Sequence, residues 1–420
     1  MDRYVVRSGA PLCGTVRVSG MTKNAGLKQM AAALLAPGVS VIRNVTPVDD
    51  LETMIELLRA IGADVTWAAA DALAIDVPER LTAEAPYELV SRMRASINVL
   101  GPLLARTGKA RVAMPGGDNI GSRKLDMHFG ALELMGAELA VVHGFIDARC
   151  NALCGARVVL EFPSVGATET VLTAAVLAKG QTVIENAARE PEVRDLAAFL
   201  TKMGARIEGA GTSTIEIEGV DELAPVEHTI IGDRIEAGTL LFACVAAGGD
   251  ITVEGIGIEP LEMIARKLGE MGAEVSPTPD GVRVRRERVL AAVDVQTLPF
   301  PGFATDFMPL AVAALTTAEG TAIVTENIFD NRFAFVDELN RMGADIRTEG
   351  RHAVVRGVSR LSGAPVRAHD VRAGAALVLA GLAADGETTV LDPHHVERGY
   401  PDLPAKLQAL GADVTRIAAT

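Results

Sequence analysis

Apolar and polar residues follow one pattern that recurs six times along the chain. Each copy contains an apolar helical phrase that ends near a glycine, and the phrases read LLRAIGADV, LELMGAELA, LTKMGARIE, LGEMGAEVS, LNRMGADIR and LQALGADVT. Their glycines are Gly62, Gly136, Gly204, Gly272, Gly343 and Gly411, and subtraction gives spacings of 74, 68, 68, 71 and 68 residues. A period of this length exceeds that of most solenoid repeats and is typical of a compact α/β unit.

The sequence around these glycines predicts the local structure of a repeat. An Ala/Leu-rich helix is expected to end at Gly38 and its equivalents, where a helix terminus accepts a positive φ. The alternating run VSVIRNV predicts a strand, and the amphipathic run DDLETMIELLRAI predicts a second helix that ends at Gly62. Six such units predict two domains of three repeats. A doubly wound dinucleotide fold is disfavoured, because GxGxxG does not occur in the first strand–helix turn.

Composition narrows the class of protein. The chain has 420 residues, 49% of them hydrophobic and only 4% aromatic, which predicts two cores built mainly from Ala, Val, Leu and Ile. A net charge of −14 argues against nucleic-acid binding, although anions can bind where a few cations gather. We see no signal peptide or membrane-spanning run and expect a cytoplasmic protein without membrane contact. The four cysteines lack zinc-site spacing, so we expect buried or half-buried thiols and no metal.

Six cations occupy similar places in the repeats, at or just before a predicted helix: Lys23, Arg94, Arg123, Arg332, Arg372 and Arg398. Helix N-termini carry partial positive charge, so pseudo-symmetric repeats would direct these groups at one region that binds several anionic groups. Asp118 and Asp306 are the candidate acids or bases. Plainer alternatives stay open for single residues: Lys23 as a solvated lysine beside an Asn cap, Asp306 as a helix cap, and the glycine-rich segment around Asp118 as an ordinary loop.

Short motifs carry a family resemblance along the whole chain. They read KNA, MRAS, PGGDNIGSR, LDMH, FPSVGATET, ENAAREPE, GDRIEAGT, FATD, ENIFDNRF, DVRAGAALVLAG and ERGYPDL. In this order they resemble the UDP-N-acetylglucosamine enolpyruvyl transferases of bacterial cell-wall synthesis. The resemblance implies an inside-out α/β barrel of three repeats in each of two domains, residues 22–231 and residues 1–21 plus 232–420. It implies enolpyruvyl transfer from phosphoenolpyruvate to the 3-hydroxyl of the sugar nucleotide, without a metal or organic cofactor.

The resemblance also assigns a catalytic set and a substrate-binding set. The catalytic set is Asp118, Asp306, Lys23 and Arg398. The substrate-binding set is Lys23, Asn24, Arg94, Arg123, Leu125, Asp126, His128, Ser164, Val165, Gly166, Asp306, Ile328, Arg332, Asp370, Arg372 and Arg398. The residues matched to the phosphate of phosphoenolpyruvate are Lys23, Arg123 and Arg398, and those near its carboxylate are Arg332 and Arg372. Asp306 is the implied base for the hydroxyl, and Asp118 the implied proton donor to the methylene carbon.

The sequence departs from the family pattern in three places, and the last two of them leave the acceptor open. Asp118 stands where most members carry cysteine, which excludes thiol chemistry and implies insensitivity to fosfomycin, an alkylating inhibitor of that thiol. SGMTKNA is one residue longer than the usual SGAKNA, and Lys124 replaces a proline. A paralogue that acts on another uridine nucleotide such as UMP is therefore a second interpretation, and a silent UDP-sugar-binding regulator a third. The sequence does not identify a protein partner or an oligomeric state.

Overall fold

The structure is a computed structural model that describes residues 2–117, 120–121 and 124–418. The predictions for Asp118 and Arg123 therefore lie outside the described residues. The chain forms two compact units. Unit N comprises residues 20–117 and 124–231, and unit C comprises residues 2–19, 120–121 and 232–418.

Short helices and strands alternate along the described chain. The strands are β1 (Arg3–Arg7), β2 (Leu12–Arg17), β3 (Gly38–Arg43), β4 (Asp64–Ala69), β5 (Ala72–Val77), β6 (Glu84–Ala85), β7 (Lys109–Ala113), β8 (Glu138–Val142), β9 (Phe145–Arg149), β10 (Arg157–Val159), β11 (Gln181–Glu185), β12 (Arg206–Glu208), β13 (Thr214–Glu218), β14 (Glu227–Thr229), β15 (Gly249–Glu254), β16 (Glu274–Thr278), β17 (Gly281–Arg286), β18 (Val295–Gln296), β19 (Thr321–Thr325), β20 (Asp345–Glu349), β21 (His352–Arg356), β22 (Leu361–Ser362), β23 (Pro365–Arg367), β24 (Ala384–Asp385), β25 (Glu387–Leu391) and β26 (Asp413–Ile417). The helices are α1 (Leu27–Ala33), α2 (Asp49–Ile61), α3 (Tyr87–Val90), α4 (Leu100–Thr107), α5 (Asp126–Leu134), α6 (Val165–Ala175), α7 (Pro191–Lys202), α8 (Arg234–Ala247), α9 (Glu262–Glu270), α10 (Met308–Leu315), α11 (Val336–Arg341), α12 (Val371–Leu382), α13 (His394–Glu397) and α14 (Leu403–Ala409). Short segments of other helix types cover Thr22–Gly26 (π) and Arg94–Val99, Glu259–Leu261 and Thr305–Phe307 (3₁₀).

Within the described ranges, the strands form six four-stranded sheets, one for each sequence repeat, and the pair β22-β24. Unit N contains the orders β14-β3-β5-β4, β6-β7-β9-β8 and β10-β11-β13-β12, and unit C contains β16-β17-β15-β2, β18-β19-β21-β20 and β23-β25-β1-β26. Each four-stranded sheet combines one parallel pair with antiparallel pairs, as where β14 runs parallel to β3 and β2 runs parallel to β15. The strands β1 and β2 at the start of the chain thus complete sheets of unit C.

Apolar helices lie at the centre of each unit. In unit C, α8, α10 and α12 contact one another and are almost entirely buried. In unit N, α4 packs on α6, and the 3₁₀ segment before α4 packs on α1. α10 reads MPLAVAAL, which is apolar on every side, as expected for an enclosed helix. Strands such as β13 alternate exposed and buried residues and so cover this core with one face. The predicted fold class, with helices inside and sheets outside, is confirmed.

The repeat glycines confirm the predicted backbone conformation but correct most of the helix ends predicted at Gly38 and its equivalents. Gly62, Gly38 and their equivalents all have positive φ, between 70° and 134°. Helix α2 ends with Gly62 as its C-terminal cap, as predicted. Among the equivalents of Gly38, Gly108 caps α4 as predicted. The helices α1, α6, α8, α10 and α12, in contrast, end at Ala33, Ala175, Ala247, Leu315 and Leu382, before Gly38, Gly180, Gly249, Gly320 and Gly386. The prediction was wrong there because a turn between helix and strand contains apolar residues that resemble the helix.

The structure bears on two predictions from composition, the burial of the cysteines and the lack of a membrane-spanning helix. Cys244 is buried and Cys150 half-buried, but Cys13 and Cys154 are exposed, which corrects the expectation for all four thiols. Both exposed thiols lie at a strand or bridge position on a sheet surface, where side-chain direction rather than apolar character sets exposure. Across the described ranges, none of the helices has the length and apolar character needed to span a membrane.

Candidate functional site

Asp306 and Arg372 form the centre of a charged cluster in unit C. Asp306 lies in the 3₁₀ turn that leads into α10, and Arg372 is the second residue of α12. Because α10 and α12 pack against each other, they bring these two residues together across 66 positions of sequence. Arg372 Nε donates to Asp306 Oδ1 at 2.7 Å.

The arginines around Asp306 keep its carboxylate ionised. Burial would raise the pKa of Asp306, but the charges of Arg372, Arg332 and Arg234 and the hydrogen bond from Arg372 outweigh burial. The pKa is therefore held well below its usual range. Since the carboxylate accepts from an arginine, the alternative of a simple helix cap is not what the structure supports. A carboxylate held this firmly as an anion becomes a stronger base only when the arginines find another anion.

Asp233 and Tyr400 hold Arg372 from other sides. Asp233 caps α8, and its Oδ1 accepts from the backbone N–H of Ile235 at 2.8 Å. Burial raises the pKa of Asp233 to about 6, although the charge of Arg372 lowers it. The Arg372 guanidinium lies 5.0 Å from the ring centre of Tyr400, whose hydroxyl shares a 2.8 Å hydrogen bond with Thr239. Partners on three elements thus fix the direction in which Arg372 points.

Two guanidinium N–H groups of this cluster are buried and have no acceptor among the described residues, Arg332 Nε and Arg372 Nη1. Both side chains belong to residues that are only 5% and 4% exposed. Leaving a buried cationic donor without an acceptor is costly, so folded proteins usually do so where a ligand or water completes the bond. The cluster is therefore suited to bind an oxyanion next to an ionised carboxylate.

Glu326 joins the turn that carries Asp306 to the segment that carries Ile328. Glu326 is 1% exposed, and its carboxylate accepts from Thr305 Oγ1 at 2.9 Å and from the backbone N–H of Ile328 at 2.8 Å. The backbone N–H of Phe329 also donates to this carboxylate at 3.0 Å, and a buried carboxylate with three hydrogen bonds restricts both segments. The position of Ile328 relative to Asp306 is consequently set by Glu326.

Asp370 and Arg398 occupy helix ends in unit C. Asp370 caps α12, and its Oδ1 accepts from the backbone N–H of Arg372 at 2.8 Å. Arg398 is the C-terminal cap of α13, so it ends a helix where the sequence predicted a helix start. A helix of four residues has too little periodicity to be recognised in HHVERGY. Just before it, Glu397 accepts from the Tyr4 hydroxyl at 3.1 Å, which ties this helix end to β1.

In unit N, Lys23 and Asn24 lie in the π-type segment before α1. The Lys23 ammonium contacts a carboxylate oxygen of Asp50 in the first turn of α2. The side chains of Lys23 and Asp50 are 18% and 6% exposed. A lysine bound by a buried carboxylate is held in one direction, so the alternative of a solvated lysine does not apply. The cap of α1 is the backbone of Gly26 and not the Asn24 side chain.

The resemblance matches seven of the predicted residues to the nucleotide, and all of them except Arg94 lie at the starts of two adjacent helices: Leu125, Asp126, His128, Ser164, Val165 and Gly166. Leu125 caps α5 and Ser164 caps α6, with Ser164 Oγ accepting from Ala167 N–H at 3.3 Å. His128 Nδ1 shares a 2.9 Å hydrogen bond with the Thr170 hydroxyl, so α5 and α6 are joined side by side. Burial, assisted by the charge of Arg94, lowers the pKa of His128 to about 4. His128 is thus a neutral hydrogen-bonding group, and the two helix starts offer backbone N–H groups to an anion.

The structure distributes the predicted site residues over both units. Unit N contains Lys23, Asn24, Arg94, Leu125, Asp126, His128, Ser164, Val165 and Gly166. Unit C contains Asp306, Ile328, Arg332, Asp370, Arg372 and Arg398. Asp118 and Arg123 lie outside the described residues. Asp306, Arg332 and Arg372 are brought together in unit C, and Arg94 Nη2 reaches the Lys124 carbonyl at 3.4 Å in unit N. The roles assigned by resemblance remain predictions.

Three buried carboxylates beside the predicted residues were not themselves predicted. Asp50 lies in the first turn of α2, Asp233 caps α8, and Glu326 directly follows β19. They are 4%, 5% and 1% exposed. A buried position for Asp or Glu is rare without a partner. A search for acidic residues at otherwise apolar helix starts would have identified Asp233 but not its partner.

Comparison with known proteins defines the family. The profile of the EPSP synthase (3-phosphoshikimate 1-carboxyvinyltransferase) family matches residues 6–407. A UDP-N-acetylglucosamine 1-carboxyvinyltransferase of Corynebacterium jeikeium is 52% identical over 416 residues, which cover 99% of each chain. A second protein of that name, from Carboxydothermus hydrogenoformans, is 50% identical over 99% of this chain and 100% of its own.

A solved structure agrees with this assignment. The enolpyruvyl transferase NikO from Streptomyces tendae superimposes with a TM-score of 0.89 at 28% identity, over 100% of this chain and 99% of its own. The fold is that of an enolpyruvyl transferase. The chain belongs to the EPSP synthase family of carboxyvinyltransferases, and its full-length similarity places it beside the UDP-N-acetylglucosamine 1-carboxyvinyltransferases.

Proposed function

We propose that the protein transfers the enolpyruvyl group of phosphoenolpyruvate to the 3-hydroxyl of UDP-N-acetylglucosamine and releases phosphate. This reaction is the first committed step of peptidoglycan precursor synthesis. The relatives that carry this activity in their names match the chain from end to end at about half identity. We further propose that the two domains of this enzyme are residues 22–231 and residues 1–21 plus 232–420.

One observation in unit C supports the reaction most directly. The ionised Asp306 lies beside two buried guanidinium groups that still have N–H groups to donate, on Arg332 and Arg372. When the carboxylate of phosphoenolpyruvate takes these donors, the arginines stabilise Asp306 less, and its pKa rises toward a value useful for a base. Substrate binding would thereby activate the base. Asp306 can then remove the proton of the 3-hydroxyl.

The chemistry divides into addition and elimination. The sugar oxygen forms a bond to the carbon of phosphoenolpyruvate that bears the phosphate, while the methylene carbon takes a proton from Asp118. The C–O bond from the tetrahedral intermediate to phosphate then breaks and phosphate leaves, while the Asp118 carboxylate formed in the addition takes a proton back from the methyl group. Lys23, Arg123 and Arg398 are the proposed contacts to the phosphate, whose charge they stabilise. The sequence of bonds requires no metal or organic cofactor.

Nucleotide binding is proposed for the two helix starts of unit N. Neutral His128, the Ser164 hydroxyl, the backbone N–H groups of Val165 and Gly166, and the Leu125–Asp126 start of α5 offer hydrogen bonds to a uridine nucleotide. A Cβ on Gly166 would lie 3.0 Å from the His128 ring, so glycine allows this close approach. Asn24 is the proposed contact to the sugar.

A substrate panel tests the proposal. Purified protein with phosphoenolpyruvate should release phosphate in the presence of UDP-N-acetylglucosamine and much more slowly with UMP or UDP-glucose. Release that is equal or faster with UMP would transfer the assignment to the second interpretation. Binding without any turnover would support the third interpretation, a regulator. Identity at the level of 50% to the named transferases favours the first outcome.

A further inference from the structure

The segment that presents Lys23 and Asn24 is wound more widely than an α-helix. The Met21 carbonyl accepts both from Ala25 N–H at 2.9 Å and from Gly26 N–H at 3.1 Å. The backbone N–H of Leu27 also reaches the Thr22 carbonyl, five residues back. Bonds of this spacing define a π turn, which contains one residue more than an α turn. SGMTKNA has one residue more than SGAKNA, and the π turn accommodates it.

A π turn is rare and occurs mostly as a single turn next to α-helix, so we expect it to depend on contacts with its surroundings. Two contacts on one side support it, since Thr22 Oγ1 accepts from Thr46 N–H at 2.9 Å and Lys23 contacts Asp50. On the other side, Lys28 Nζ donates to the Asn24 carbonyl at 2.8 Å. The Lys28 side chain therefore spans the turn at the residue next to Lys23.

Lys28 is also connected to the nucleotide-side helix α6. Its ammonium lies 3.9 Å from Glu169 Oε1, and the two side chains are 12% and 2% exposed. Within the described residues, no donor reaches Glu169 Oε1 at hydrogen-bond distance, so Lys28 is the cation closest to that oxygen. A buried ion pair contributes little net stability, but it restricts the geometry of both partners. Lys28 thus links the turn with Lys23 to the helix that begins at Ser164.

We propose that Lys28 is a positioning residue of the transferase, which holds the π turn so that Lys23 and Asn24 face the substrates, and that Glu169 orients it. The proposal rests on the proposed function. It follows from two contacts of one ammonium group, to the Asn24 carbonyl and to a buried carboxylate on α6. Neither Lys28 nor Glu169 touches the reacting atoms in this scheme.

The charge of Glu169 responds to pH in the neutral range. Burial raises the pKa of Glu169 to about 7, with Lys28 lowering it and Glu192 and Glu190 raising it. His128 on the neighbouring helix α5 is neutral in this range and does not compete. Below pH ~6 Glu169 is mostly protonated and Lys28 loses its charged partner, whereas above pH ~8 the pair is complete.

Ionisation of Glu169 is expected to support kcat but to lower the stability of the folded protein. A carboxyl group whose pKa is raised in the folded state stabilises the protein below its unfolded pKa, and that contribution is lost as the pH rises through about 7. Glu169→Gln should therefore unfold at the same or a higher temperature than wild type at pH 8. A group that serves only stability would not raise the unfolding temperature and lower kcat at once.

The decisive variants are Lys28→Met and Lys28→Arg. The matched control is Lys202→Met, which makes the same substitution at an exposed lysine. Lys28→Met should lower kcat by about 10- to 100-fold through a displaced Lys23, with a smaller change in KM for UDP-N-acetylglucosamine. Lys28→Arg should recover most of this loss, since arginine retains the charge and donors. Lys202→Met should behave as wild type.

Glu169→Gln supplies a second, pH-resolved measurement. At pH 8 its kcat should be about 3- to 10-fold below wild type, the size expected when a charged partner of one hydrogen-bonded lysine is removed. The difference should disappear near pH ~6, where wild-type Glu169 is itself protonated. A ratio of kcat values that is constant from pH 6 to pH 8 would contradict the role of Glu169.

Hydrogen exchange separates this proposal from the proposed function, because it requires no substrate. In Lys28→Met the backbone amides of residues 22–27 should exchange faster than in wild type, while those of α10 and α12 stay unchanged. Wild-type protein that fails to turn over UDP-N-acetylglucosamine would refute the function and leave this comparison standing. Unchanged exchange at residues 22–27, or a Lys28→Met kcat within twofold of wild type (about 0.4 kcal/mol), would overturn the positioning role.

Discussion

Replacing Asp306 by Asn tests the proposed base with little change of shape. The carboxylate accepts from Arg372 Nε at 2.7 Å, and the amide oxygen of asparagine can accept the same hydrogen bond. The substitution removes one negative charge and the ability to take a proton. We expect kcat to fall by at least about 100-fold, the low end for general base catalysis, which corresponds to about 2.7 kcal/mol in activation free energy.

The expected change in stability is smaller than the change in rate. Breaking a buried ion pair by removing one partner costs about 3–5 kcal/mol. Asp306 is 32% exposed, however, and Asp233 and Tyr400 still face Arg372 in the variant. With one neutral hydrogen bond retained, we expect a loss of about 1–2 kcal/mol. Because the pKa of Asp306 is depressed, its contribution is present above pH ~4 and disappears only at lower pH, so the loss should be measured near neutrality.

Substrate affinity should distinguish a base from a binding group. In the variant, Arg372 and Arg332 no longer share their charge with a carboxylate, so phosphoenolpyruvate should bind equally well or more tightly. Phosphate release at saturating substrates gives kcat, and its dependence on phosphoenolpyruvate gives KM. The control is Asp250→Asn, which removes the carboxylate of an exposed ion pair between Asp250 on β15 and Arg283 on β17. A near-normal kcat for Asp306→Asn, or a raised KM with unchanged kcat, would return Asp306 to a structural or binding role.

Two further predictions concern the carboxylates of Asp118 and Asp50. The wild-type protein should be insensitive to fosfomycin, whereas Asp118→Cys should be active and should be inhibited by fosfomycin. The activity of Asp118→Cys should persist to higher pH than that of wild type, because a free thiol titrates near ~8.5 and an aspartate near ~4. A fosfomycin adduct at Asp118, detected by mass spectrometry, would contradict this assignment. Asp50→Asn should lower kcat/KM for phosphoenolpyruvate by about 10- to 100-fold, because Lys23 loses the carboxylate that directs it. The control Glu52→Gln, at an exposed position of the same helix turn, should retain wild-type kinetics, which would exclude a general effect on α2.

The sequence was sufficient to predict the repeat and its strands but not the side-chain partners. Repeat glycines such as Gly62 carry a local requirement, a positive φ, that is visible in a single phrase. Helix α10 could be predicted as enclosed because MPLAVAAL has no polar side. These features depend on neighbouring residues only, and for that reason they survived comparison with the structure.

Features that depend on contacts between distant residues could not be predicted. The partner of Arg372 is 66 positions away, and the partner of Lys28 is 141 positions away by subtraction. No periodicity links such pairs, because they meet only after the central helices pack. The sequence shows that SGMTKNA has an extra residue. Whether this residue forms a bulge, a longer loop or a π turn depends on Thr46 and Asp50, which lie 24 and 27 positions beyond their partners Thr22 and Lys23.

An acidic protein can offer an anion site because its arginines differ in surroundings and not only in number. On the sheet surfaces, arginines such as Arg157 and Arg283 form bidentate pairs with Glu185 and Asp250, so their charge is neutralised locally and screened by solvent. Arg332 and Arg372 are buried and keep N–H groups without an acceptor among the described residues. In a medium of low dielectric constant these donors act strongly on a nearby anion. The net charge of −14 therefore reduces nonspecific binding of anions at the surface and leaves the buried cluster free to select them.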